Sequence, residues 1–354
     1  MEENTQHFLD LIRRSHRGRF KIYIGMIAGV GKTYRMLQDA REMLRQGTDV
    51  QIGFVETHGR PDTVKALKGL PVIPRKRVFY KGKEIEEMDL DAILQVHPEI
   101  VIVDELAHTN VEGCRHAKRW QDVMELLEAG INVISAVNIQ HIESLNDEVR
   151  KMVGVDVKER IPDSVLREAD EVVNIDLTAE ELVERLKAGK IYAKEKIQTA
   201  LDNFFNPGNI LQLRELALRE VAFRVGKKVD YEVKHREQSM KGVARLVVCV
   251  SSNNETQQHI IRKAARMADT YNAELVALYV QTANEDNDSI PLDTQRHLMG
   301  HLQLVVELGG RVHKVVSDNI ALTIADFCRE QQASVLCMGH PSLSMPRLLF
   351  RVGS

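Results

Sequence analysis

The chain has 354 residues, 44% of them hydrophobic, and a formal net charge of −3, enough length and apolar content for two packed domains. That balance of charge excludes a general attraction to nucleic acid or to an anionic membrane surface, and no apolar run approaches the roughly 18 residues that span a bilayer. Cys114, Cys249, Cys328 and Cys337 show no paired spacing and read as reduced thiols; with a polar, acidic N-terminus unlike a secretion signal, they point to a soluble cytoplasmic protein.

The first feature is a basic run, Arg13, Arg14, Arg17, Arg19 and Lys21, which reads better as a solvated capping segment than as a phosphate or membrane contact. A predicted strand, Phe20–Met26, then runs into Gly29, Val30, Gly31, Lys32 and Thr33, and a helix is expected from Tyr34 to Arg45. This order describes a loop for a nucleoside triphosphate. Glycines let successive backbone N–H groups close around phosphate oxygens, Lys32 adds an ammonium, the Thr33 hydroxyl suits Mg²⁺, and the helix points its positive end at the phosphates. The usual first glycine would stand at Met26; Gly25 lies one residue earlier, so this loop is expected to close in its own way. A plain strand-to-helix turn is the bland alternative.

Further strands are expected at Val50–Val55, Val78–Tyr80, Ile100–Val103 and Ile131–Val137, alternating with a loop after Val55 and helices near Leu90–Val96 and Lys118–Ala129. That is a doubly wound, mainly parallel α/β sheet of the P-loop NTPase type. The apolar run Ile100–Val103 ends in Asp104 and Glu105: Asp104 would hold Mg²⁺ beside Thr33, and Glu105 would orient or deprotonate an attacking water or hydroxyl. Ligands bind beyond the C-terminal strand ends in such folds, so the loops Glu56–Arg60, Leu106–Asn110 and Asn138–His141 should converge there, bringing Glu56, Arg60 and His108. Any one of these loops is as readily a capped turn. Arg115, Lys118 and Arg119 would either carry charge to a terminal phosphate or form the first turns of an exposed helix.

Helical patterning follows from Leu177 to Ala222, broken at Asn206, Pro207, Gly208 and Asn209, with the charged stretch Gly226–Lys241 read as a linker. Simple packing of this extension onto the first domain reads better than a hinge. A second alternation occupies Arg245–Ser251, Thr256–Tyr271, Glu274–Val280, Leu292–Leu308, Arg311–Val316, Ile320–Gln331 and Val335–Gly339. The domains are therefore expected at 1–176, 177–241 and 242–354. His297 and His301, four apart on one of these helices, lack a third metal ligand and read as solvated surface.

The motifs Gly29–Thr33, Val55–Arg60, Val103–Asn110, Arg115–Asp122 and Asn138–Asp147, continuing through Asp176, Asn203–Asn209 and Leu213–Arg219, together resemble the N-terminal region of the KdpD family of potassium-responsive sensor histidine kinases. The resemblance spans essentially the whole chain, although Ile27 and Ala28 stand where relatives commonly have a small residue and a proline. It implies ATP with Mg²⁺ at the first domain, bound by Gly25, Gly29, Val30, Gly31, Lys32, Thr33, Tyr34, Glu56, Arg60, Asp104, His108, Arg115 and Arg119. It also implies a kinase core or response regulator of a potassium-uptake system as partner.

The second half resembles a universal-stress-protein domain. Ser251 stands where nucleotide-binding members carry an acidic residue, and Ser342 where a glycine is expected, which argues against their usual ATP site. Ser251, Asn253 and Tyr271–Ala273 match only partly the pattern with which some relatives are thought to sense a cyclic dinucleotide; that ligand stands as an alternative. A last helix and strand would follow Gly353 and Ser354, and no phosphoacceptor-histidine helix is present, so the chain is expected to be a fragment or a short stand-alone form, not itself an autokinase. Its assembly is open between a single chain and a homodimer. Two functions remain: a regulatory switch set by Mg-ATP, or an ATPase or protein phosphotransferase with Glu105 as base and Lys32 as its catalytic partner.

Overall fold

The computed structural model describes residues 17–154, 156–192, 194–202, 205–237, 244–251, 257–271, 273–282 and 291–339. The chain divides into two compact units between Gln238 and Ser239.

In the first unit the chain runs through β1 (Phe20–Gly25), α1 (Lys32–Arg45), β2 (Val50–Phe54), α2 (Pro61–Leu67), β3 (Lys76–Tyr80), β4 (Lys83–Glu87), α3 (Leu90–Val96) and β5 (Ile100–Val103). It continues with α4 (Arg119–Glu128), β6 (Asn132–Asn138), α5 (Asn146–Val153), α6 (Asp163–Arg167), β7 (Glu171–Ile175), α7 (Ala179–Lys187), α8 (Lys194–Asp202) and α9 (Pro207–Glu237). Five strands form one parallel sheet in the order β2-β5-β6-β1-β7. Alternation along β1 sets its two faces. Phe20, Ile22 and Ile24 enter a core with Val123, Leu126 and Leu127 of α4, while Tyr23 faces Met36, Leu37 and Ala40 of α1.

Three expectations change here. Val78–Tyr80 is not a strand of the main sheet: β3 pairs antiparallel with β4 as a separate ribbon. The reason is the turn, because Lys81 and Gly82 both have positive φ, 48° and 80°, the backbone of a tight hairpin. Within the loop expected after Val55, α2 forms with Pro61 at its first position, and β7 adds a strand beside β1. Gly226–Lys241, expected as a linker, is helical as far as Glu237. The break expected at Asn206–Asn209 does separate two helices, α8 ending at Asp202 and the 31-residue α9 starting at Pro207, with the Asn206 side chain accepting from the Asn209 N–H at 2.8 Å. Leu182 and Leu186 of α7 and Ile210, Leu213, Leu216 and Ala217 of α9 complete the core on the β1 face that carries Phe20, so the extension packs onto the first unit.

The second unit holds β8 (Arg245–Val250), α10 (Gln257–Tyr271), β9 (Glu274–Gln281), α11 (Leu292–Glu307), β10 (Arg311–Val316), α12 (Ile320–Glu330) and β11 (Ala333–Cys337). Its parallel sheet has the order β10-β9-β8-β11. His301 is not solvated surface: it is fully buried, with Nδ1 3.1 Å from the Ser251 carbonyl, while His297 stays exposed. Asn253, Asn272 and Ser342, which bear on a ligand for this unit, lie outside the described residues, as do Arg13, Arg14, Asn203, Gly353 and Ser354. Among the described residues no helix is long and apolar enough to cross a membrane.

Candidate nucleotide site

The site lies at the C-terminal ends of β1, β5 and β6, where a cleft of about 390 Å³ opens. β1 stops at Gly25, and Met26, Ile27 and Val30 bury their side chains, which leaves the backbone of the following turn facing the cleft. Gly29 and Gly31 have φ of 90° and 105°, left-handed values that disfavour any residue with a Cβ. At Gly29 a Cβ would in addition come 2.4 Å from Cδ1 of Ile191. Gly25 does different work. A Cβ there would stand 2.6 Å from Val30 Cγ2 and 3.1 Å from Lys32 Cδ, so this glycine makes room behind the loop, and the chain bends at Met26 and Ile27. α1 starts at Lys32 with no side-chain cap and no acidic residue in its first turn, which leaves its first N–H groups available to an anion.

Lys32 Nζ donates to Asn138 Oδ1 and, at 3.3 Å, to the Ile27 carbonyl. Burial lowers its pKa to about 8, against the opposing pull of Asp104 and Glu105. The Thr33 hydroxyl donates to Asp104 Oδ2 at 2.8 Å, and Asp104 is 3% exposed. Burial raises the Asp104 carboxyl, and the neighbouring Glu105 adds to that shift. Glu105 adopts φ 55°, which turns the chain so that its own N–H donates to Asp104 Oδ1 at 2.9 Å. Its carboxylate meets His58 Nε2 at 3.3 Å; that hydrogen bond holds Glu105 low and raises His58. His141 also lines the cleft, its imidazole pKa lowered by burial.

Sequence comparison places this geometry in a family. Residues 16–225 match the family model for KdpD, described as the osmosensitive K⁺ channel His kinase sensor domain. The chain belongs to the KdpD family. Residues 242–354 match the universal stress protein family, so the second unit of this KdpD-family chain is a universal-stress-protein domain. The sensor protein KdpD of Mycobacterium tuberculosis H37Rv is 42% identical over 346 residues, covering 95% of this chain and 39% of that protein. A KdpD sensor protein of Synechocystis is 42% identical over 340 residues, covering 95% of this chain and 89% of its own. The chain thus spans about two fifths of the mycobacterial relative and most of the cyanobacterial one. Among solved structures, a universal stress protein from Archaeoglobus fulgidus aligns with 30% of this chain and 82% of its own at 17% identity and a TM-score of 0.25.

Of the site residues expected from the sequence, Gly29, Gly31, Lys32, Thr33, Tyr34, Arg60, Asp104 and Glu105 line the cleft. Val30 is buried behind the loop, and Glu56 is engaged by Arg75 at 3.5 Å. His108 Nε2 meets Glu87 at 2.9 Å, outside the cleft lining. Arg115 pairs with Asp91 and Glu125. Arg119 is neither an exposed first turn nor a residue lining the cleft. It is fully buried, its guanidinium 3.7 Å from the Phe54 ring centroid, with Nη2 2.9 Å from Glu87 and Nη1 3.4 Å from the Asp104 carbonyl. Its role is to brace the strand end that carries Asp104. Asn138 and His141 arrive on a loop expected to converge here, but were not singled out. Arg185 of α7 and Lys190 of the turn after it, which also line the cleft, were missed: such charges read as solvated until the fold brings this segment back onto the loop.

Proposed function

We propose that the first unit binds Mg-ATP as a regulatory switch, within a cytoplasmic sensory module of a two-component system that controls potassium uptake. The observation that carries this reading is the Thr33–Asp104 hydrogen bond of 2.8 Å, set beneath the bare glycine loop and beside Lys32. A hydroxyl and a carboxylate joined in this way are an oxygen donor pair suited to Mg²⁺, and Gly29, Gly31 and the uncapped start of α1 suit phosphate oxygens. Thr33 and Asp104 would hold the metal, which would neutralise phosphate charge. Lys32, now spent on Asn138 and the Ile27 carbonyl, would transfer its hydrogen bonds to phosphate and free the Asn138 loop. That exchange is the local event from which a switch can be built. Its readers would be the universal-stress-protein unit and a kinase core or response regulator.

The second reading, turnover with Glu105 as base, is disfavoured by the His58 contact, which keeps the Glu105 carboxylate ionised but a poor proton acceptor. Single-turnover incubation with γ-labelled ATP separates the two readings. The switch predicts tight binding, lost on Lys32→Ala, a proteolysis pattern altered by Mg-ATP, and no release or transfer of label. Label appearing as free phosphate or on protein, and lost in Glu105→Gln with binding intact, would replace the switch with an enzyme.

A further inference from the structure

Besides Lys32, three cations lining the cleft lack an acidic partner among the described residues. Arg60 comes from the loop after β2, Arg185 from α7, and Lys190 from the turn that follows it. Among the described residues none of the three lies within salt-bridge distance of a carboxylate, although Arg75, Arg115, Arg119 and Arg214 each have one. Arg60 Nε is buried without any hydrogen-bond partner. That one buried atom costs folding free energy unless something else satisfies it, whereas Arg185 is half-buried and Lys190 exposed.

Arg185 is held only loosely. Its Nη1 donates to the Gly29 carbonyl at 3.4 Å, well beyond the ~2.7–2.9 Å of a strong charge-assisted bond. It lies 3.6 Å from where a Cβ on Gly31 would stand, and Ile191 fills the space beside Gly29, so the segment 185–191 rests directly on the glycine loop. The loop amides and Lys32 are sufficient for the inner phosphates of a nucleotide. Additional cations matter most for the charge at the terminal phosphate, the role that an arginine supplied from another part of the same chain plays in nucleotide switches.

We propose that Arg185, supported by Lys190 and Arg60, recognises the terminal phosphate of a nucleoside triphosphate, so that α7 is fastened to the glycine loop by the triphosphate and released with the diphosphate. This rests on the Mg-ATP reading of the cleft. A guanidinium drawn from the Gly29 carbonyl to a phosphate carries α7 with it, and Leu182 and Leu186 of α7 share one core with Leu213 and Leu216 of α9. The long helix therefore feels which nucleotide is present.

The test is calorimetric titration of the full chain with the Mg²⁺ complexes of ADP and of a non-hydrolysable ATP analogue. Arg185→Ala should weaken the triphosphate about tenfold or more and leave ADP within about twofold, as expected for losing a hydrogen bond to a charged group. Lys190→Ala should shift the same ratio by less. Hydrogen exchange across residues 179–187 should slow with the triphosphate, not with ADP, and lose that difference in Arg185→Ala. Equal losses for both nucleotides, or none for either, would overturn the proposal while leaving nucleotide binding in place. Failure of the unmutated chain to bind either nucleotide would overturn the Mg-ATP reading itself. Should Arg185→Ala not fold, Arg185→Lys, which keeps charge and stem but loses the fork, is read by the same ratio.

Discussion

At the scale of single residues the cleft is defined by groups that are each uncomfortable alone. Lys32 is desolvated until its pKa falls to about 8, while Asp104 is pushed the other way by the same burial. A bound polyphosphate favours the charged amine and would return Lys32 toward its ordinary value. Below about pH 7 the amine is already protonated in the empty cleft, and binding takes up no proton there. As pH rises through 8 the empty form loses that proton and binding must recover it. The affinity for Mg-ATP should therefore fall above pH 8, by at most tenfold per pH unit, with up to one proton taken up per nucleotide. Calorimetry at pH 8.5 in two buffers of different ionisation enthalpy measures that number directly. A value of zero would mean that Lys32 does not meet the phosphates, and Lys32→Arg, which stays charged, should remove the pH dependence.

At the scale of elements the β3–β4 ribbon is anchored by one buried ion pair, Glu87 with Arg119, exposed by 2% and 1%. The same pair explains where sequence reading succeeded and where it failed. The glycine loop and Asp104–Glu105 were legible because their chemistry sits within a few consecutive residues at strand ends, and the buried β1 and β5 announce themselves as apolar runs. The ribbon was not legible. Lys83–Glu87 carries four charges in five residues, and its pairing is dictated by the Lys81–Gly82 turn, not by an apolar pattern. With Glu87 unplaced, Arg119 had no visible partner and stayed open between a charge for the terminal phosphate and the first turn of an exposed helix; placed, it is a cross-brace from the ribbon to Asp104. Arg185 was hidden for a related reason, being more than 150 residues from the loop that it touches. Arg119→Ala takes the guanidinium from a buried carboxylate that keeps His108 Nε2 and the Val111 N–H, and should cost roughly 1.5–3 kcal/mol, read as a lower urea midpoint by circular dichroism. The double replacement Arg119→Met with Glu87→Leu should recover most of that loss. If it recovers none, the brace is held by the Phe54 stacking and Asp104 carbonyl contacts, not by charge.

At the scale of the whole molecule, every residue lining the cleft falls between Ala28 and Lys190, inside the first unit, which has its own two-sided core. Residues 1–238 should consequently bind Mg-ATP without the universal-stress-protein unit. A switch demands more than binding. Coupling is reciprocal: if the nucleotide changes the state of the second unit, the second unit must change the affinity for the nucleotide by the same factor. Typical couplings of about 1–3 kcal/mol correspond to roughly 5- to 150-fold. The dissociation constants of Mg-ATP for residues 1–238 and for the full chain should therefore differ by about fivefold or more, and Lys32→Ala should abolish binding in both. Equal constants would leave the nucleotide site where it is and take away its listener in the second unit, so that any signal would have to leave through another surface of the first unit.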